Sequence, residues 1–357
     1  MKSKLFRLLL LLVIVAGTFF YCSYMRSQFQ ILTGETMNTY YRITLREGRE
    51  DTLLQNEIKE ELQQINNEMS VFEHLSDISQ FNRNTDTGWI DIPDELAVVL
   101  KEAYRVYQQT NGYFDPSVGK LVDLWGFGTN KVHRIPLEEE ILEAKKSVGF
   151  NKISFSKDYK KAKKSIPDIY INLSSIAKGY GVDRIAKLLE KKGYQNYIVE
   201  IGGEVRAKGI RAPKAAGWNL GIARPESDSI SDYEYVVSLK DMSVATSGDY
   251  RNYFYVEGKR YSHTLNPKTG YPVEHNLASV TVFDKECMRA DALATGIMSM
   301  GETKGFEFVN NNRIPAILFV KTDETYQVLI SNEAKKILAN SLTAPKDKTQ
   351  QKQDSSK

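Results

Sequence analysis

The sequence predicts an α+β protein: a single large mixed α/β domain of mixed sheets flanked by helices, behind an N-terminal signal or membrane-anchor segment. Three observations carry that prediction. Apolar residues recur at helical spacing in some segments and alternate at strand spacing in others. Hydrophobic residues at 41% and charged residues at 26% are globular values, and the 357-residue chain is long enough to bury a full core. No Pro/Ser-rich linker divides the body. The same composition excludes a collagen, a disordered acidic chain and a protein of many membrane spans. The net charge of +3 comes from the two ends, Lys2, Lys4 and Arg7 at one and four Lys against two Asp after Ala344 at the other. The body, residues 8 to 344, is left at about −2, so no basic footprint for nucleic acid is present.

Taken in order, the elements begin with an N-terminal segment, residues 1–26. Three basic residues precede the charge-free stretch Leu8 to Met25, and Arg26 closes it. Its length suits a short transmembrane anchor, and its most apolar part, Leu8 to Ala16, also has the size of a signal-peptide core. Either way the body, residues 27–342, would lie on the extracytoplasmic side of the cell inner membrane. Lipidation at Cys22 is a third option, but Phe19, Phe20 and Tyr21 stand where a lipoprotein signal peptidase takes small residues.

Within the body, Leu54, Ile58, Leu62, Ile65 and Met69 step by four and three and predict a helix. A second helix carries Leu96, Val99, Leu100, Ala103, Val106 and Tyr107 between Pro93-Asp94 and Asn111-Gly112. Pro136 opens another that Gly149 closes, and one more runs from about Ser175 to Lys192 before Gly193. Strands are expected at Tyr41–Leu45, Ile169–Ile171, Tyr197–Ile201, Val236–Leu239 and Phe254–Val256. Ile314 to Ile330 reads as a hairpin turning at Lys321 to Glu324. Residues 343–357 are a polar tail whose composition predicts disorder. With Cys22 and Cys287 the only cysteines, a Cys/His zinc site and an internal disulfide in the exported body are both excluded, so core packing must stabilise it.

Chemistry concentrates where glycines and polar residues meet strand and helix ends. Gly112-Tyr113-Phe114-Asp115-Pro116-Ser117-Val118-Gly119, followed by Leu124-Trp125-Gly126-Phe127-Gly128, is either a tight loop or a platform on which Tyr113, Phe114 and Trp125 stack a flavin or purine ring. In Asn172 to Gly181 a strand gives way to a helix, where backbone amides and Lys178 could hold phosphate, or Ser174-Ser175 could act as an ordinary N-cap. Neither this segment nor Gly202-Gly203-Glu204 satisfies a Walker A loop or a dinucleotide fingerprint. Ser247-Gly248-Asp249-Tyr250-Arg251 precedes a strand carrying His263 and then Asn266-Pro267 and Thr269-Gly270-Tyr271-Pro272. His263 is a structural histidine or a base at neutral pH. In Arg289 to Gly296, expected at a helix start, Asp291 and Thr295 stand four apart and face one way. They are two oxygen ligands of the kind Mg²⁺ accepts, or Asp291 is a cap of its own helix.

In combination these segments resemble the FAD:protein FMN transferase family, the ApbE family. The resemblance runs over most of Thr36 to Gly301. It rests on Met37-x-Thr39, Met69-Ser70 with Ser79-x-Phe81-Asn82, the Phe114 to Gly119 and Leu124 to Gly128 blocks, and Ile176-Ala177-Lys178-Gly179-Tyr180. It continues through Gly202-Gly203-Glu204, Ala245 to Tyr250, His263-x-Leu265-Asn266-Pro267 to Pro272, and Ala290 to Thr295. It implies an exported, membrane-associated enzyme that binds FAD and Mg²⁺. Such an enzyme moves the FMN half onto a Ser or Thr hydroxyl of an exported flavoprotein subunit of a membrane redox complex, and AMP leaves.

Position by position, the resemblance makes Met37, Phe72, Tyr113, Phe114, Asp115, Asn172, Lys178 and Leu265 FAD-contacting residues. Ser175, Asp291 and Thr295 become the metal ligands, Ser175 through its carbonyl, and His263 and Asp291 are the two candidates for the base. Three departures are visible. Asn38 stands where the family has Gly, Asn172 where it commonly has Asp, and no lipid-attachment signal surrounds Cys22, which favours anchoring by a helix. Two other functions fit the same residues, a Mg²⁺-dependent FAD pyrophosphatase giving FMN and AMP, and a non-catalytic FAD-binding protein.

Overall fold

Where the sequence gathers apolar residues on one helical face, that face is buried. The structure, a computed structural model, describes residues 29–46, 52–129, 131–225, 233–250 and 252–339, with residues 17 and 18 besides. Helix α1 (Thr52–Met69) buries Leu54, Ile58, Leu62, Ile65 and Met69. After the short α2 (Asp77–Arg83), α3 (Asp94–Gln109) does the same with Leu96, Val99, Leu100, Ala103 and Val106. Residues 119–124 and 138–145 form α4 (Gly119–Leu124) and α5 (Glu138–Lys145). The latter starts two residues after Pro136, because the Glu140 carboxylate accepts from the Leu137 amide at 2.7 Å and sets the first turn there. Helix α6 (Ala177–Lys191) presents Val182, Ile185, Ala186 and Leu189 to the core. Helix α7 (Cys287–Met300) is apolar almost all round and correspondingly central, while α8 (Glu302–Asn311) and α9 (Asn332–Ala339) close the chain.

Some strands alternate, as Tyr197–Ile201 does, while Leu277–Asp284 and Ala316–Lys321 are buried on both faces, and the main strands assemble into an eight-stranded sheet. Its order is β1 (Phe29–Thr36), β2 (Thr39–Arg46), β6 (Tyr197–Ile201), β7 (Glu204–Lys208), β10 (Met242–Gly248), β13 (Leu277–Asp284), β14 (Ala316–Lys321) and β15 (Tyr326–Ile330). Three smaller sheets flank it: β3 (Trp89–Asp91) with β5 (Lys161–Lys164) and β4 (Ile153–Phe155), β8 (Trp218–Ala223) with β9 (Tyr233–Leu239), and β11 (Tyr253–Val256) with β12 (Lys259–Ser262). Register is fixed by the buried face: Tyr41, Ile43 and Leu45 on β2 stand opposite Ile201, Val199 and Tyr197 on β6. Helices α1, α3, α6 and α7 cover that face. The other face, with Val205, Val244, Phe283 and Phe319, packs against the β8–β9 ribbon and α9.

The expectation of mixed sheets is corrected, because every ladder among the described residues is antiparallel. The physical reason is connectivity. Two-residue turns join β1 to β2 and β6 to β7 and a four-residue turn joins β14 to β15, and such short connections can only reverse the chain. A parallel contact survives only as an isolated bridge, Val118 to Tyr170, so the expected strand Ile169–Ile171 is not one. Its backbone is satisfied by a side chain instead: Asn82 donates from Nδ2 to the Ile171 carbonyl and accepts from the Ile171 amide, both at 2.8 Å. The helix expected from Ser175 begins at Ala177, and the one carrying Asp291 begins earlier than expected, at Cys287.

Among the described residues no helix is long and apolar enough to cross a membrane. The apolar stretch Leu8 to Met25 lies outside those residues except for 17 and 18, as do Cys22 and the tail 343–357.

Candidate active site

The β6–β7 turn and helices α6 and α7 bring chemical groups to one end of the large sheet. The β1–β2 turn puts Met37 and Asn38 at φ of 51° and 57°, a conformation Asn tolerates better than most side chains, so Asn38 can stand where a glycine would. The β6–β7 turn is Gly202-Gly203, both at positive φ, the signature of a primed hairpin turn. It delivers Glu204 to the first position of β7, directly opposite Ile201. Helices α6 and α7 meet beside it at very close range, since a Cβ on Gly179 would lie 2.4 Å from the Cys287 carbonyl oxygen.

That close approach explains the behaviour of Asp291. It does not cap its own helix. Its Oδ2 accepts the Gly179 amide of the first turn of α6 at 3.0 Å, so one helix supplies the capping carboxylate of another. No side chain caps α6 from its own N-cap residue, Ile176, so the Ser174-Ser175 capping alternative does not hold. The expected row of free α6 amides for phosphate is also reduced, because the Gly179 amide goes to Asp291 and the Ala177 amide to the Leu173 carbonyl. The charged group here for an anion is the Lys178 ammonium.

Lys178 Nζ lies 2.7 Å from Glu204 Oε1, and Glu204 is 1% exposed. Burial pushes the carboxyl groups of Glu204 and Asp291 above their ordinary values, and the charge of Lys178 pulls each back. Burial works against the Lys178 ammonium, but Asp291 and Glu204 outweigh it, and its pKa ends above the usual lysine value. Glu204 Oε2 is buried without a hydrogen-bond partner.

Thr295 Oγ1 sits 3.2 Å from Ser247 Oγ at the end of β10. His263 follows β12 rather than lying on it, and its Nδ1 is 2.9 Å from the Asn252 carbonyl oxygen. A carbonyl only accepts, so Nδ1 carries the proton and Nε2 keeps its lone pair. Burial holds the ring below its ordinary pKa, hence neutral at pH 7.

These groups line one cleft of about 620 Å³, inside the range of roughly 300–1,000 Å³ typical of small-molecule sites. Phe72, Tyr113, Phe114, Asp115, Asn172, Ser175, Lys178, His263, Leu265, Asp291 and Thr295 all belong to its wall. Met37 does not; it packs partly buried against the main core beside Gly181. The aromatic platform is smaller than the sequence suggested. Phe114 is 1% exposed, and Trp125 is wholly buried, donating its indole N–H to the Gly270 carbonyl at 3.0 Å and stacking on Tyr261, so neither ring offers a face to a ligand. Tyr113 and Phe72, the latter 45% exposed, are the rings that can. Asp115 Oδ1 takes the Ser117 amide at 2.9 Å and the Ser117 hydroxyl at 2.5 Å, and burial pushes its pKa up to about 6. Asn172 Oδ1 accepts the Ser174 amide at 2.9 Å, which fixes the turn leading to Ser175.

Asp291 and Thr295 on one helical face, with Ser175 in the facing turn, form a set of hard oxygen donors suited to Mg²⁺. No cluster of three or more His, Cys, Asp or Glu able to hold a metal occurs among the described residues, which leaves a site with one carboxylate and neutral oxygens. Two residues of the cleft stand in motifs the sequence shows but carry no role in that reading, Glu204 and Ser247. The Gly-Gly hairpin signal before Glu204 was the available clue, since a carboxylate placed directly after a primed turn begins a strand at a sheet end.

A model of the ApbE family matches residues 37–318. The FAD:protein FMN transferase of Vibrio cholerae is 40% identical over 312 residues, covering 86% of this chain and 92% of that protein. That of Haemophilus influenzae is 40% identical over 314 residues, covering 86% and 90%. The solved flavin transferase ApbE from Vibrio cholerae superposes with a TM-score of 0.79 at 38% identity, over 87% of this chain and 99% of that one. The apo flavinyl transferase ApbE of Pseudomonas stutzeri gives 0.79 at 32% identity, over 87% and 96%.

Proposed function

The chain belongs to the ApbE family, and from that premise we infer that it is an FAD:protein FMN transferase. The observation that carries this reading is the meeting, in one cleft, of Asp291 and Thr295 with Lys178 and a histidine whose Nδ1–H is locked. The acceptor is a Ser or Thr hydroxyl of an exported flavoprotein subunit of a membrane redox complex. The basic, apolar N-terminus supports an extracytoplasmic body tethered to the inner membrane.

FAD lies with its diphosphate toward Lys178 and a planar ring system against Tyr113 or Phe72. The acceptor oxygen forms a bond to the phosphorus of the FMN half, the bond from that phosphorus to the bridging oxygen breaks, and the bridging oxygen departs with AMP. His263 Nε2 takes the hydroxyl proton, because its lone pair is free while Nδ1–H is held by Asn252. Asp291, one oxygen already engaged by Gly179, serves as ligand rather than base. Mg²⁺ held by Ser175, Asp291 and Thr295 would neutralise charge on the diphosphate. Lys178, steered by Glu204, holds a phosphate oxygen.

Incubation with FAD, Mg²⁺ and such a subunit leaves the subunit fluorescent after denaturation. Free FMN and AMP without labelled protein would make the chain a pyrophosphatase instead, and bound FAD without turnover a storage protein. His263→Gly lowers transfer by about 10²–10⁴-fold, the usual size of a general-base contribution, and added imidazole restores part of it. An unchanged rate in that variant would remove His263 from the mechanism.

A further inference from the structure

Beside the cleft, three lysines from three separate elements gather on two aromatic rings. Lys268 Nζ, from the Asn266–Gly270 turn, and Lys304 Nζ, from α8, each lie 5.0 Å from the centre of the Tyr113 ring, and Lys304 also donates to the Tyr113 hydroxyl at 2.7 Å. Lys131 Nζ lies 5.4 Å from the centre of the Phe72 ring. Some lysines elsewhere on the surface pair with carboxylates, as Lys146 does with Glu143, Lys160 with Asp94 and Lys259 with Glu274. Among the described residues, Lys131, Lys268 and Lys304 have no such partner within ion-pair distance.

Their positions are set in advance. The turn bearing Lys268 is braced by Asn266 Oδ1, which accepts the Lys268 amide at 2.9 Å, and by the Trp125 indole on the Gly270 carbonyl. Tyr113, Phe72 and Lys131 belong to the cleft wall, whereas Lys268 and Lys304 are not part of it and meet it at the Tyr113 ring. A small molecule seated in the cleft is already met by Lys178, so the outer ammonium groups face whatever arrives from solution.

Resting on the transferase reading, we propose that this rim is the docking surface for the acceptor protein, and that it selects an acidic segment flanking the acceptor Ser or Thr. Carboxylates of that segment replace the missing counter-ions of Lys268, Lys304 and Lys131, and the rings supply apolar contact between them.

The test uses two fluorescein-labelled peptides, one carrying three Asp residues around a central Thr and one with each Asp changed to Asn. Binding to the full-length chain is measured by fluorescence anisotropy, with and without FAD. The acidic peptide binds more tightly than its Asn counterpart, its affinity falls steeply with salt, and Lys268→Gln with Lys304→Gln weakens it by about tenfold, while the Kd for FAD stays unchanged. Lys268→Glu with Lys304→Glu inverts the preference toward a peptide carrying Lys in place of Asp. Equal binding of the two original peptides, or a double variant that loses affinity for FAD rather than for peptide, overturns the proposal. Charge-dependent binding by a chain that never labels a protein would leave the docking surface standing and sink the transferase reading alone.

Discussion

Asp291 joins two roles in one side chain, capping α6 through Gly179 and offering oxygen to the cleft. Asp291→Ala therefore lowers transfer by about a thousandfold or more, the several kcal/mol that metal-assisted charge stabilisation supplies. The fold survives at a cost of roughly 1–3 kcal/mol for the unpaired Gly179 amide. Labelled acceptor and a thermal melt measure the two effects separately, and full turnover in metal-free buffer would contradict the assignment.

Asp115 gives a pH signature. Its carboxyl ionises near 3.8 when exposed and at about 6 in the fold. Below 3.8 it is protonated in both states. As pH rises to about 6 the unfolded chain releases a proton that the folded chain retains, so this group lowers stability progressively, by roughly 3 kcal/mol once both states are ionised. Asp115→Asn removes that loss, and the melting temperature of the variant relative to the parent rises between pH 4 and pH 7. A constant difference over that range would mean that the carboxyl is not perturbed. At this scale the sequence marked Asp291, Thr295, Lys178 and His263, which the fold brings to one cleft, through their motifs in combination, because each residue alone also had a structural reading. Phe114 and Trp125 were misread, since an aromatic beside glycines is equally a buried anchor for a loop, and only the fold shows which way the ring turns.

Between elements, the tightest joint is α6 against α7. Gly179→Ala places a methyl against the Cys287 backbone carbonyl, which cannot rotate away, so the helices must separate. We expect about 1–3 kcal/mol of destabilisation, an overpacking cost, and a larger loss of transfer, because Lys178 and Asp291 sit on the two faces being pushed apart. An unchanged melting temperature would show that the joint yields easily. The helices α1 and α3 were readable from Leu54 to Met69 and Leu96 to Tyr107 because their periodicity is local. Strand order was not readable. The pairing of β10 between β7 and β13 joins segments far apart in sequence, and nothing local in Met242–Gly248 or Leu277–Asp284 names its partner. Ile169–Ile171 failed for a related reason: a β-rich tripeptide is a strand only if a neighbour accepts it, and there a single asparagine side chain does the neighbour's work.

Across the whole molecule, one sheet face is devoted to packing helices and the other to a ribbon and α9, which leaves strand ends, the Gly202-Gly203 turn and parts of α6 and α7 free to build the cleft. Lys178, Glu204 and Asp291 are thereby held in a buried cluster, and the aromatic and cationic rim is left outside for a second reactant. On the proposed transferase reading, this cluster breaks FAD at its diphosphate only as an acceptor hydroxyl takes the FMN half. The most direct measurement is the ratio of AMP released to acceptor labelled, by chromatography and mass spectrometry on one reaction, for the parent and for Asp291→Ala. One AMP for each labelled acceptor is expected in the parent and neither product in the variant. AMP appearing well ahead of labelled acceptor, or labelling undiminished without Asp291, would contradict it.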